Sequence, residues 1–325
     1  DRTVRRRDVI GRGVPRKTVR LGSFTLGWYA FFFLLSRYGV DLLPLAWASR
    51  LSLEQYLLAV QAITLGVVLV VARSFLLDGW SDLALKRPDG RLGIAQWFVV
   101  VLLLSPLVYV VSSSTAIAAA YSTLIEEIRQ GGVAQANANA GEFGRVMAQA
   151  PLLTTLLWAA VMAPLGEELL FRGAFWSTIE SWMQRSGPVE EQAPSSLDPT
   201  RFVRPLGPGA VVGPWLRSGG LAWLVTTIVF GALHADMPGG QGIIRVVSTT
   251  LVGAAAGLGR WVTGSVWTAV LLHVGANTLS LAASRTWLVS ESFPRPYAIP
   301  GLALLLAGIS LLGAVVVLFT AKKRA

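Results

Sequence analysis

The stretch Ala163-Pro164-Leu165-Gly166-Glu167-Glu168-Leu169-Leu170-Phe171-Arg172-Gly173 lies inside an apolar run of helix length. It places two adjacent carboxylates and an arginine at membrane depth. Each would cost about 2.5–3.5 kcal/mol at the centre of a spanning helix on insertion scales, so intramembrane charges mark sites of function by default. The chain has two histidines, His234 and His273, and both also fall in hydrophobic runs. Ionisable groups gathered in this way within a bilayer point to a reaction centre rather than to packing.

The rest of the sequence agrees with a membrane setting. Of 325 residues, 53% are hydrophobic and 14% charged, against roughly 25% charged in soluble domains. Apolar runs long enough to span a bilayer recur at 22–40, 54–77, 93–118, 149–170, 219–236, 242–260, 264–283 and 300–320. They predict an all-α, polytopic helix bundle of about eight transmembrane helices. The sixth run holds Gly253-Ala-Ala-Ala-Gly257, small residues that let helices approach closely. Residues 1–20 read as a basic cytoplasmic arm expected to be disordered, and 21–325 as a single membrane-embedded domain. The run that follows the arm is too long, and the arm too basic, for a cleaved signal peptide. The first residue is Asp1 rather than methionine, so the chain is expected to be a trimmed part of a longer protein. Residues 121–147 are polar and predict an external helix or loop; 184–218, rich in proline and glycine, predict a mobile cytoplasmic loop.

Charge distribution sets an orientation. The net charge of +10 is a topology signal, not a nucleic-acid one. With both termini in the cytoplasm, the arginines and lysines of 1–20, 86–91, 185–217, Arg260 and 322–324 fall inside. The outer side keeps Arg50, Arg129, Arg145, Arg285 and Arg295. An even number of spans satisfies this bias. With no cysteine in the chain, disulfides, thiolate zinc sites and cysteine-protease chemistry are excluded.

Three short patterns carry the chemistry. Glu168 and Arg172 are one helical turn apart and can pair, which reduces the desolvation cost of both. Glu167 points about 100° away on the helix and is left without that partner. A poorly solvated carboxylate has a raised pKa and is the stronger base when ionised. The chemistry is therefore expected at Glu167, with Glu168 and Arg172 in support. A purely structural ion pair is the plain alternative. In the second pattern, Phe230 and His234 share a face, with Gly231 and Ala232 leaving room between. In the third, His273 and Asn277 are also one turn apart, so both can donate toward one point.

Glu-Glu-x-x-x-Arg, Phe-x-x-x-His and His-x-x-x-Asn on successive membrane helices resemble the CAAX-protease and bacteriocin-processing family, which includes the type 2 CAAX prenyl endopeptidase. The resemblance covers about residues 150–285, and Gly257-Leu-Gly-Arg-Trp-Val-Thr-Gly-Ser-Val-Trp267 is similar to the family as well. It implies an eight-helix bundle with a cavity at membrane depth and a glutamate-dependent intramembrane endopeptidase. By position, it implies that Glu167 with His234 activates a water, that His273 and Asn277 stabilise the oxyanion, and that Glu168, Arg172 and Phe230 support them. The implied partners are a bilayer and a membrane-associated peptide or protein substrate, with no nucleic acid. No cofactor is expected. The residue types leave a zinc-dependent membrane protease open, since Glu and His both ligate zinc, although no His-Glu-x-x-His is present. A transporter and a non-catalytic scaffold or immunity protein are readings of another class. A composition rich in Ala, Gly, Leu, Val and Arg suggests a bacterial inner membrane.

Overall fold

The computed structural model describes residues 16–39, 51–88, 93–138, 150–183 and 219–289. Among them every regular element is helical. The expected span at 300–320, residues 1–15 of the basic arm and the loop at 184–218 lie outside the described residues.

Helix α1, Arg16–Tyr38, buries Thr18, Leu21, Phe24 and Trp28, a spacing of three to four that makes one stripe. It begins within the basic arm. Helix α2, Leu53–Phe75, starts at a capping box: the Ser52 hydroxyl accepts from the Gln55 backbone N–H and the Gln55 side chain accepts from that of Ser52, so two donors of the first turn are satisfied. Its buried residues Val60, Thr64, Val68 and Ala72 recur every fourth position. Helix α3, Ile94–Ala138, runs through Pro106 and on into the polar stretch expected to lie outside the membrane. Helix α4, Leu152–Met183, carries the Glu-Glu motif and extends past Arg172. Helix α5, Leu221–Ala232, is short. Helix α6, Gly239–Thr263, starts after Pro238 and ends at Gly264, whose φ of 66° is a left-handed stop. Helix α7, Val266–Val289, follows at once.

Six of these helices are long and apolar enough to cross a membrane, and α5 is an apolar but shorter seventh. The chain is an integral membrane protein built as a helical bundle.

Helix α4 lies at the centre, in contact with α1, α2, α5 and α7, while α6 packs along α3, α5 and α7. The main core joins Leu21 and Trp28 of α1, Ala72 of α2, Phe171 of α4, Phe230 of α5 and Val270 of α7. The α2–α3 connection is drawn into this core through a 3₁₀ turn, Gly79–Leu83. Leu83 is fully buried, and a Cβ at Gly173 would come within 3.0 Å of the Leu83 carbonyl oxygen. A side chain at 173 would crowd this backbone, so glycine suits the close approach. The start of α7 is tied to the same connection, by Val266 N–H to the Ala84 carbonyl (3.2 Å) and the Ser265 hydroxyl to the Lys86 carbonyl (2.6 Å).

Helices α5 and α6 run side by side. Trp223 near the start of α5 donates to the Ala254 carbonyl, and Gly231 near its end faces Thr250. The first turns of α6 therefore project beyond the end of α5 and are flanked by the connector 233–238. That end of α6 is held by α3: Glu127 accepts from the Gly240 N–H at 3.0 Å. It supplies from another helix the N-terminal cap that Pro238 has no side-chain group to give.

Candidate active site

The Glu167–Glu168 turn is ordinary α-helix between two π-helical segments, Leu156–Met162 and Leu169–Phe175. In the first, the Ala163 N–H reaches five residues back, to the Trp158 carbonyl. Each such widened turn rotates the side chains that follow relative to those before it, and such segments occur often at functional sites. No sequence pattern announces them.

The buried ion pair expected from the i,i+4 spacing is present. Arg172 Nη1 donates to Glu168 Oε1 at 3.1 Å, and both side chains are fully buried. Arg172 Nη2 donates to the Gly253 carbonyl of α6 at 2.7 Å. The guanidinium also lies over the Phe230 ring, 4.6 Å from its centroid, a cation–π contact in a dry setting. A charge removed from water is thus matched by a carboxylate, a carbonyl and a ring face, which is what makes its burial tolerable.

His273 joins the pair from α7. Its Nδ1–H donates to Glu168 Oε1 at 2.8 Å, and its Nε2 is 3.9 Å from Glu167 Oε2. One imidazole therefore faces both carboxylates, one with each nitrogen. Glu168 is sealed, whereas Glu167 keeps a third of its side-chain surface exposed. The adjacent glutamates have different access to water and substrate, as their divergence on the helix predicts.

Phe230 links the groups further. Its buried ring meets His273 edge-on at 5.6 Å and His234 at 4.8 Å. His234 itself is not on a helical face: α5 ends at Ala232, and the histidine sits in the turn beyond. Its Nδ1–H donates to the Phe230 carbonyl at 2.7 Å. Since a carbonyl can only accept, that nitrogen carries the proton, and in the neutral ring Nε2 keeps its lone pair. The connector bearing His234 is fastened by an ion pair between Asp236 and Arg245 of α6 at 3.0 Å.

Asn277, on the same helix, makes its own contact with α4. Its Nδ2 donates to the Ala159 carbonyl of α4 at 2.9 Å, so it does not share a partner with His273. One amide hydrogen is used there and the second is not. Sequence reasoning did not single out Arg245, Asp236 or the π segments, and it named Gly253 only as part of a small-residue run. The glycine-rich run of α6 was the one readable signal for Gly253. For a metal, Glu167 and His273 Nε2 form a facing pair, and among the described residues no three His, Asp or Glu side chains converge as a ligand set.

Residues 149–279 match the family model described as Rce1-like, type II CAAX prenyl endopeptidase. Over these residues the chain is similar to that family. All seven expected site residues, from Glu167 to Asn277, fall within the matched stretch, whereas α1, α2 and α3 precede it. No curated protein and no solved structure matches the chain.

Proposed function

We propose that the protein is an intramembrane endopeptidase that hydrolyses a peptide bond of a membrane-associated peptide or protein, with Glu167 as general base. The observation that carries the reading is the division between the two glutamates. Glu168 is closed off by Arg172 and His273, and Glu167, against the same histidine, remains accessible.

In this reaction a water lies between Glu167 and the Nε2 lone pair of His234. Its oxygen attacks the scissile carbonyl carbon as its proton passes to Glu167. His273 and the second amide hydrogen of Asn277 stabilise the developing oxyanion. Such donors contribute several kcal/mol in a dry site. Collapse of the tetrahedral intermediate breaks the C–N bond, and the proton held by Glu167 goes to the leaving amine. Arg172 and Phe230 hold Glu168 and the two imidazoles in place. No metal takes part in these steps. The charge bias of its loops supports both termini on the cytoplasmic side, and its composition supports a bacterial inner membrane.

Glu167→Gln tests the mechanism. Purified protein and variant are compared on fluorogenic membrane-anchored peptides with and without a prenyl group. Turnover is expected to fall at least about 10²-fold, the lower end for loss of a general base, with the fold intact. Near-normal turnover by the variant would remove Glu167 from its role. Dialysis against a strong chelator is expected to leave wild-type turnover unchanged; loss restored by zinc alone would turn the reading to a metalloprotease.

A further inference from the structure

The two π segments of α4 have a shared consequence for the backbone. In an α-helix the Ala163 N–H would bond to the Ala159 carbonyl, and the Trp176 N–H to that of Arg172. Here the Ala163 N–H goes to Trp158, and the Trp176 N–H is shared between Phe171 and Gly173. The carbonyls of Ala159 and Arg172 thereby lose the donors that a regular helix would give them. Carbonyls buried in a membrane bundle need partners, and each of these two receives one from a neighbouring helix. Asn277 of α7 donates to Ala159 at 2.9 Å. Arg260 of α6 donates through Nε to Arg172 at 3.2 Å.

The Arg260 side chain is built into its place. The residue is 8% exposed, and its guanidinium lies 5.6 Å from the ring centroid of the fully buried Trp176. Its Nη2 is 4.0 Å from Glu180 Oε2. A fixed, planar guanidinium suits this task, since it can donate to a carbonyl while stacking on a ring and facing a carboxylate.

We propose that Arg260 is a positioning residue of the site, which holds α4 in its π register and so fixes where Arg172 presents its guanidinium to Glu168. Together with the Asn277–Ala159 bond, it pins the Glu167–Glu168 turn at both ends. Loss of the Arg260 bond lets Trp176 N–H return to the Arg172 carbonyl. The α-helical register that results turns Arg172 relative to the downstream helix, and the Glu168–His273 hydrogen bond changes with it. The proposal rests on the assignment of these residues to the reaction centre, but its effect on His273 exists whether or not the protein cleaves peptides.

The two-histidine content of the chain makes this measurable without a substrate. Ring-¹⁵N-labelled histidine in lipid nanodiscs gives one set of signals for His273 and one for His234. Arg260→Met is expected to shift the His273 Nδ1 signal toward that of an imidazole without a carboxylate partner, while His234, bonded to the Phe230 carbonyl, stays in place. Arg260→Lys keeps the charge but not the rigid fork. It is expected to fold even if the methionine variant does not, and to give a smaller shift in the same direction. With the prenylated fluorogenic peptide, kcat is expected to fall by up to about 10²-fold, the scale of an ångström-level misplacement, with KM unchanged. An unmoved His273 signal in a folded Lys or Met variant overturns the proposal, as does an equal shift of both histidines. Failure of the wild-type protein to cleave any peptide, with the selective His273 shift present, would instead overturn the endopeptidase reading and leave the positioning role standing.

Discussion

Lys17, Asp78 and Asp82 form an ion cluster as large as that of Arg172, Glu168 and His273, but with two of its three members open to water. Lys17 Nζ is 2.6 Å from Asp78 and 2.7 Å from Asp82. It joins the first turn of α1 to the 3₁₀ turn after α2; Lys17 and Asp78 are substantially exposed, whereas Asp82 is buried. Water and salt weaken such contacts, and exposed pairs contribute little to stability. The inner cluster has no water to fall back on, so each of its charges must be answered by protein. The exposed Lys17–Asp78 pair at the rim is a fastening that the fold can lose. The inner cluster is not: removing one member strands the others, and the accessible Glu167 stands beside it.

The comparison can be broken at either end. Arg172→Ala leaves Glu168 buried without its cation and is expected to cost about 3–5 kcal/mol, read as a large fall in melting temperature in nanodiscs. A variant as stable as wild type would show that Glu168 does not depend on this pair. A smaller effect is expected for Gly253→Ala. The added Cβ would stand 2.7 Å from Arg172 Nη2 and 2.8 Å from Phe230 Cδ1, and neither buried group has room to retreat. Overpacking of this kind costs about 1–3 kcal/mol. Full stability here would show that the guanidinium has slack, contrary to its tight set of partners.

The smallest change is expected at the rim. The hydrogen bond from Lys17, and next its charge, hold the Asp78 carboxyl below its ordinary value of 3.8. A depressed carboxylate adds stability above its unfolded pKa and loses it as pH falls through the folded value, so this contribution fades only below pH 3.8. Asp78→Asn should leave the neutral-pH melting temperature almost unchanged and remove that acid-side component. A marked loss at neutral pH would make the rim cluster as indispensable to the fold as the inner one.

Periodicity and charge made much of this legible beforehand. The spans that became α1, α2, α3, α6 and α7 follow from apolar length, and Glu168–Arg172 follows from the geometry of one turn. Spacing alone could not show that His234 lies past the end of its helix. The expected run to residue 236 stopped just short of Pro238-Gly239, a breaker visible in the sequence whose effect reaches back to Leu233. The extension of α3 to Ala138 was hidden for the opposite reason, since polar helix and polar loop share composition. Asn277 and His273 share a helical face, yet they bond to different partners, because the π register of α4 exposes the Ala159 carbonyl to one and Glu168 to the other. A register of i to i+5 leaves no trace in residue types, so the groups that answer it, Asn277 and Arg260, could be found only by following the backbone bonds.

The brevity of α5 reaches into the lipid. Twelve residues make a rod of about 18 Å, while the hydrocarbon slab around the bundle is about 30 Å thick. This hydrophobic mismatch is met by local thinning of the bilayer or by carrying the 233–238 connector at a depth where irregular backbone is tolerated only against protein or an aqueous cavity. Thinning and an aqueous cavity each bring the headgroup boundary nearer to His234 on that flank than elsewhere around the bundle. Acyl-chain length thus becomes a physical variable of the site, acting on how far water must travel to reach it.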